Sequence, residues 1–187
     1  MSGEFSSFSA PVDRVQHIDI KIKKIGQLFN SFDPSPFLEK DLDDDAFEYI
    51  VSSVSEHPIT TKQKIVLHIP TNQRAKLSEI EIRRAIHNFF EYKQILAERM
   101  IKLKIKEGQL SFIVGITFLV ICLGTGEYIQ SFANNTWTYI AVQGLVIGGW
   151  VAMWKPISEI LYEWWPTWKE KRIYHKISEM DIEFRYT

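Results

Sequence analysis

The side chains best suited to chemistry are scattered along the chain, and none of them forms a catalytic or metal-binding pattern. The five histidines do not fall at ligand spacings such as H-x₃-H, and the single cysteine, Cys122, lies in an apolar run. Glycine-rich phosphate loops and nucleophile elbows are absent from the sequence. The sequence therefore predicts a non-enzymatic protein with no catalytic residues, no cofactor and no bound metal.

One acidic run deserves a separate test, because Asp41, Asp43, Asp44 and Asp45 could together attract a divalent cation. The run lacks the central glycine and the terminal bidentate glutamate of an EF-hand loop. It directly precedes apolar residues at helical spacing, where acidic side chains cap a helix and complement its positive end. We therefore predict a helix that is capped by this run and that ends before His57-Pro58.

The charge distribution separates the chain into regions. The 187 residues carry 22 basic and 23 acidic side chains, a net charge of −1 that indicates no nucleic-acid partner. The mean hydropathy is only −0.11, yet the segment Gly108–Trp154 contains a single charged residue, Glu127. Such segregation is typical of a membrane protein. The N-terminus lacks the basic and apolar regions of a signal peptide, so we expect a flexible tail over residues 1–15.

Two apolar segments within that region are candidate membrane spans, namely Leu110–Ile129 and Trp137–Trp154. A helix needs about 20 mostly apolar residues to cross the hydrocarbon core, with about 17 as the lower bound. A buried helical hairpin in a soluble protein is the alternative. Lysines and arginines flank the pair on both outer sides, and the connecting loop Gln130–Thr136 has none. The positive-inside rule then predicts a multi-pass membrane protein with both termini in the cytoplasm.

Small residues recur in the second span, where Gly144 and Gly148 form a GxxxG motif that Gly149 extends. Glycines four residues apart let two helix backbones approach closely in a membrane. The sequence leaves open whether this face packs on the first span of the same chain or on a neighbouring copy.

The residues after the second span favour a membrane-interface element. Apolar side chains from Ile157 to Trp165 recur at helical spacing, between a proline suited to a first turn, Pro156, and a proline suited to a stop, Pro166. We predict a short interfacial helix there, with a prolongation of the second span as the alternative. The residues expected at the interface are Trp154, Lys155, Trp164 and Trp165.

Three segments with alternating apolar and polar residues predict half-buried strands, near residues 18–23, 64–69 and 180–186. The polar side of the first is basic and that of the last is acidic, so side-by-side pairing of these two strands would match opposite charges. The heptad pattern within Ala75–Glu107 predicts a long helix. Because no helix breaker precedes Gly108, we expect this helix to continue directly into the first span. We expect Ile82–Phe90 of this helix to lie on the sheet.

Several local motifs carry a resemblance to a known group. They are Asp33-Pro-Ser-Pro-Phe37, Glu39-Lys-Asp-Leu-Asp43, Ala46-Phe-Glu-Tyr-Ile50, Gly149-Trp-Val-Ala-Met-Trp-Lys-Pro156 and Tyr162-Glu-Trp-Trp-Pro166. Together they resemble a family of uncharacterised small bacterial membrane proteins with two transmembrane helices and no established activity. The resemblance implies a bacterial origin and makes the proline-rich loop a possible docking site, with the residues Asp33, Pro34, Pro36 and Phe37.

The sequence as a whole predicts an α+β membrane protein in which a two-helix transmembrane hairpin, residues 108–155, is inserted into a small cytoplasmic domain. That domain comprises residues 16–107 and is completed by 156–187, with about three strands, two helices and the interfacial helix. Expected partners are membrane lipids, further copies of the chain in a homo-oligomer and a protein docked on the cytoplasmic domain.

We therefore expect a self-associating scaffold or an accessory subunit of a membrane assembly. One alternative is a homo-oligomeric small ion channel lined by Thr117, Thr125, Gln143 and Glu127. Another is a membrane-anchored enzyme with its site near Asp33–Asp45.

Overall fold

The computed structural model describes residues 15–73, 78–132 and 135–187, and the chain divides into two compact units. Unit 2 is the continuous segment Ile95–Glu170, and unit 1 is built from the segments that flank it. Of the tail predicted for residues 1–15, all but Val15 lies outside the described residues.

Unit 1 contains a three-stranded sheet whose order is β1-β2-β3. The strands are β1 (Gln16–Lys21), β2 (Gln63–Ile69) and β3 (Asp181–Tyr186), and both pairs are parallel. The three predicted strands and their membership of one sheet are thus confirmed.

The expected pairing of the first strand with the last is wrong, because β2 lies between them. β2 is the most apolar of the three, and its central place buries Ile65, Val66 and Leu67 completely. In a half-buried strand Val66 would be exposed, because it lies on the same face as Lys64 and His68. Instead Val66 is buried, so β2 is covered on both faces, and the alternating pattern predicted only the face of Ile65 and Leu67.

The helices are α1 (Asp44–Ser55), α2 (Glu79–Phe132), α3 (Thr136–Leu161) and α4 (Trp165–Ser178), and three short 3-10 turns complete the regular structure of the described residues. Asp43 caps α1 by accepting a hydrogen bond from the backbone N–H of Asp45 at 3.2 Å, which confirms the predicted capping role of the acidic run.

The core of unit 1 lies between the sheet and helical residues of α1, α2 and α4. Its buried members include Ile50 on α1, Ile86 and Phe90 on α2, and Ile177 on α4. Right-handed crossovers between parallel strands in sequential order place the connecting helices on one side of a sheet. The prediction that Ile82–Phe90 lies on the sheet is confirmed, since Ile82, Phe89 and Phe90 belong to this core.

The long helix α2 continues through Gly108 without interruption, as the absence of a helix breaker before that residue predicts. The predicted start at Ala75 lies outside the described residues.

The prediction of a separate interfacial helix between Pro156 and Pro166 is wrong. Pro156 lies inside α3, which extends to Leu161, and Pro166 lies in the first turn of α4, where a missing N–H costs nothing. A proline inside a helix needs space for its ring. Gly115 of α2 provides it, because a Cβ there would lie 3.1 Å from Pro156 Cγ. The alternative, that these residues prolong the second span, holds for Ile157–Leu161.

The side of the sheet opposite the core is ionic. Lys64 on β2 bonds to the carboxylate of Glu183 on β3, which also accepts a 2.8 Å hydrogen bond from Arg185 Nε. His68 Nε2 lies 2.7 Å from Asp19 Oδ1 on β1, and this bond lowers the pKa of the Asp19 carboxyl. The strand register places Asp19 and Glu183 on either side of Val66. The ion pairs thus flank the one fully buried apolar side chain of that face.

The ion pairs of this face make the sheet acid-sensitive. Hydrogen bonds from Lys64 and Arg185 lower the pKa of Glu183 from 4.5 to about 2. A carboxylate whose pKa falls on folding stabilises the folded state above its unfolded pKa, and this stabilisation disappears as the pH falls through the interval from 4.5 to about 2. The protection factors of the β3 amides, which correct hydrogen exchange for the pH dependence of its intrinsic rate, should therefore fall more steeply over that interval in the wild type than in Glu183→Gln. Parallel pH profiles for the two proteins would contradict this assignment.

Candidate functional site

The proline-rich loop is organised by the carboxylate of Asp33. Its Oδ2 accepts a hydrogen bond from the backbone N–H of Asp41 at 2.7 Å, and its Oδ1 accepts one from the N–H of Ser35 at 2.9 Å. These backbone donors lower the pKa of Asp33, so the group stays ionised. One side chain thereby closes the loop across the segment from residue 33 to residue 41.

Apolar contacts attach this loop to unit 1. The rings of Phe29 and Phe37 lie 4.7 Å apart, and Asn88 Nδ2 on α2 donates to the carbonyl oxygen of Leu38 at 3.0 Å. Pro34 and Pro36 are exposed, while Phe37 packs against the core. Of the predicted docking residues, the two prolines are therefore on the surface, whereas Asp33 and Phe37 hold the loop in shape.

Sequence reasoning missed the most prominent side chain of the loop, Phe32, which is 92% exposed. A single exposed aromatic residue is common on proteins. Phe32 directly precedes Asp33, which lines a cleft of about 450 Å³ together with Ser35, Leu38 and Tyr92. Its position next to the proline-rich motif was the sequence signal that could have found it. No periodic pattern predicts how exposed a side chain in a loop is.

The acidic run beside this loop serves the backbone. Asp43 caps α1, and its own N–H donates to the carbonyl oxygen of Leu28 at 3.0 Å. Across residues 15–73, 78–132 and 135–187, no three histidine, cysteine or acidic side chains cluster as a metal site would require. The hypothesis of an enzyme near Asp33–Asp45 stays a prediction.

In unit 2 the structure separates the glycines that the sequence grouped together. A Cβ on Gly149 would lie 2.8 Å from Leu119 Cδ1 and 3.3 Å from Cys122 Cβ, so this glycine packs on α2 of the same chain. Gly144 and Gly148 have nothing within 4 Å of the corresponding position. Gly149 therefore packs within the chain, whereas Gly144 and Gly148 remain on the surface of unit 2.

Further glycines of α2 serve the same contact between the two helices of unit 2. Gly115 faces Met153 and Pro156, and Gly126 faces Val142, whose Cγ1 would lie 3.2 Å from an added Cβ. Small residues at these positions let α2 and α3 approach closely.

The predicted interface residues fall into two groups. Trp154 and Lys155 lie within α3, and the tryptophan side chain is 80% exposed. Trp164 and Trp165 lie at the turn between α3 and α4, where Trp164 Nε1 donates to the carbonyl oxygen of Ile160 at 2.9 Å. The helical spacing predicts Trp164 and Trp165 on the same helix as Ile157, and the turn at Tyr162–Trp164 divides that segment.

Two helical stretches of the described chain are long and apolar enough to cross a membrane. Only 17% of the apolar window in Glu79–Phe132 and 22% of that in Thr136–Ser178 is buried. A core helix of a soluble protein is mostly buried, so these windows leave an unusually large apolar surface uncovered.

Comparisons with protein-family models, with curated proteins and with solved structures give no match. The case for a function therefore rests on the geometry described above.

The first test concerns the loop that Asp33 closes. Asp33→Ala removes the acceptor of two backbone N–H groups, so amide exchange over residues 33–41 should accelerate while the buried amides of β2 keep their protection. Asp33→Asn retains one carbonyl oxygen and should give an intermediate effect. Ser31→Ala, a change of an exposed neighbour, is the matched control and should leave exchange unchanged. An Asp33→Ala protein with wild-type exchange in the loop would contradict the role assigned to the carboxylate.

Proposed function

We propose that this chain is a non-enzymatic, self-associating protein of the bacterial inner membrane that presents unit 1 as a docking surface on the cytoplasmic side. The observation that carries the proposal is the exposed apolar surface of α2 and α3 in unit 2. Large apolar surfaces on helices of this length are stable in lipid and unstable in water.

The topology supports two crossings. Unit 1 contains residues from both sides of unit 2, so the inserted segment begins and ends in the same domain. A segment that crosses a bilayer and returns to its starting domain crosses an even number of times. No lysine or arginine lies between Gly108 and Trp154, and the basic residues that flank this segment on both sides favour the cytoplasm for unit 1 and for both chain termini.

Self-association is proposed from the outer side of α3. Gly144 and Gly148 are exposed and have no neighbouring atom within 4 Å of an added Cβ, whereas Gly149 is occupied by the contact with α2. A GxxxG pair that its own chain leaves open is the arrangement by which membrane helices associate in pairs. The second copy would fill the shallow depression that the two glycines leave.

The docking surface of unit 1 is proposed around the loop that Asp33 closes, with Phe32, Pro34 and Pro36 as its exposed residues. The loop is held in one shape by its hydrogen bonds, so a partner protein would bind a preorganised surface. This arrangement favours a scaffold or an accessory subunit.

Light scattering of the detergent-solubilised chain tests self-association. Gly148→Leu fills the open face and should raise the dissociation constant by at least about tenfold, which corresponds to the interaction strength of such helix pairs. Gly124→Leu is the matched control, because Gly124 also has nothing within 4 Å but lies on α2. We expect the control to retain the wild-type oligomer. A wild-type chain that is monomeric at every concentration would overturn the self-association part of the proposal.

A further inference from the structure

We propose that the aromatic turn between α3 and α4 is a binding site for an anionic phospholipid of the surrounding bilayer. The site is a cleft of about 690 Å³, which we name the aromatic cleft. It is lined by Tyr162, Trp164, Trp165, Pro166, Trp168 and Lys169. This inference rests on the proposed membrane location and adds to it a specific ligand class.

The lining of the aromatic cleft combines rings with a single cation. Tyr162 and Trp165 are 59% and 56% exposed, so their rings are accessible to a ligand. The ring centroids of Tyr162 and Trp165 lie 6.2 Å apart, as do those of Trp164 and Trp165, and both pairs are close to perpendicular. Edge-to-face rings leave a V-shaped apolar wall in which an acyl chain or a glycerol backbone can lie.

Hydrogen bonds hold this wall in place before any ligand binds. Lys104 Nζ on α2 donates to the carbonyl oxygen of Glu163 at 3.2 Å and to Thr167 Oγ1 at 3.1 Å. Thr167 is buried, and the indole N–H of Trp164 is fixed on Ile160. The turn is therefore attached to a helix of the same unit. A preorganised site loses little conformational entropy when it binds.

The position along the chain indicates which ligand is available. The cleft begins one residue after α3 ends at Leu161, so a membrane-spanning α3 would bring it to the depth of the lipid headgroups. Tryptophan and tyrosine favour that depth because their rings are apolar and their N–H and O–H groups are polar. Lysine can extend its ammonium group from an apolar wall toward a phosphate. Lys169 therefore selects a lipid with net negative charge over a zwitterionic one.

The test uses the full chain in nanodiscs of phosphatidylcholine that contain a minor fraction of spin-labelled phosphatidylglycerol or, in parallel, spin-labelled phosphatidylcholine. Electron paramagnetic resonance then gives the immobilised fraction of each lipid. The wild type should prefer phosphatidylglycerol, and Lys169→Gln should reduce that preference about fivefold, the loss expected for one lysine near the surface. Lys23→Gln removes one exposed lysine from unit 1 and should preserve the preference.

The aromatic wall is tested by a second pair of variants. Trp165→Ala should reduce the immobilised fraction of phosphatidylglycerol, and Trp165→Phe, which keeps an aromatic ring, should restore most of it. Circular dichroism shows that each variant is folded. Equal immobilisation of the two lipids by the wild type, or an unchanged preference in Lys169→Gln, would overturn the cleft while leaving the membrane location intact. A chain that does not enter the nanodisc would overturn the membrane location as well.

Discussion

The pairing of β2 with a strand on each side is the constraint on which the rest of this chain depends. Ile65 and Leu67 are completely buried only when β1 and β3 both flank them and the helical residues cover one face. Because β3 is formed by Asp181–Tyr186, the sheet is complete only when the chain has passed through all of unit 2 and returned to unit 1. The sheet thereby imposes an even number of crossings on any membrane segment inserted before β3.

Within unit 2, α3 divides its surface between two tasks. Gly149 and Pro156 are buried against α2, where Gly115 and Leu119 complete the contact. Gly144 and Gly148 remain open on the surface, together with exposed aromatic and aliphatic side chains. Since the intrachain contact does not use the GxxxG pair, the hairpin can form without consuming the surface proposed for a second copy.

Much of the fold could be predicted from the sequence because its elements have strong periodic patterns. Alternation located all three strands, and the heptads of α2 correctly placed Ile82–Phe90 on the sheet. The order of the strands could not be predicted in this way, because the charges on one strand can be matched by more than one of the other strands. Lys64 of β2, rather than a residue of β1, is the partner of Glu183.

The prolines show why the helix boundaries were harder to predict. Whether Pro156 begins a helix or lies within one depends on the space that Gly115 leaves on another helix, and a local pattern does not contain that information. The helix α4 was not predicted, because its polar residues, among them Lys169, Lys171 and Arg172, show little apolar periodicity. Its buried residues Ile173 and Ile177 are only two apolar positions in a polar stretch.

For the candidate surfaces, the sequence indicates the segment of the chain but not which side chains are exposed. The proline-rich motif marked the loop, but the exposure of Phe32 and the two hydrogen bonds to Asp33 arise only when residues 33 and 41 meet. The tryptophans are visible in the sequence, whereas the turn that gathers them into a cleft is held by Lys104, which lies far away in the sequence.

The membrane-inserted hairpin is the central claim, and cysteine accessibility in intact bacterial cells tests it most directly. In a Cys122→Ser background, Ser131→Cys places a thiol at the exposed end of α2, and Lys62→Cys places one on the surface of unit 1. An impermeant maleimide should label the first variant in intact cells and the second only after the cells are permeabilised. Labelling of the Lys62 variant in intact cells, or recovery of the chain in the soluble fraction, would contradict the account.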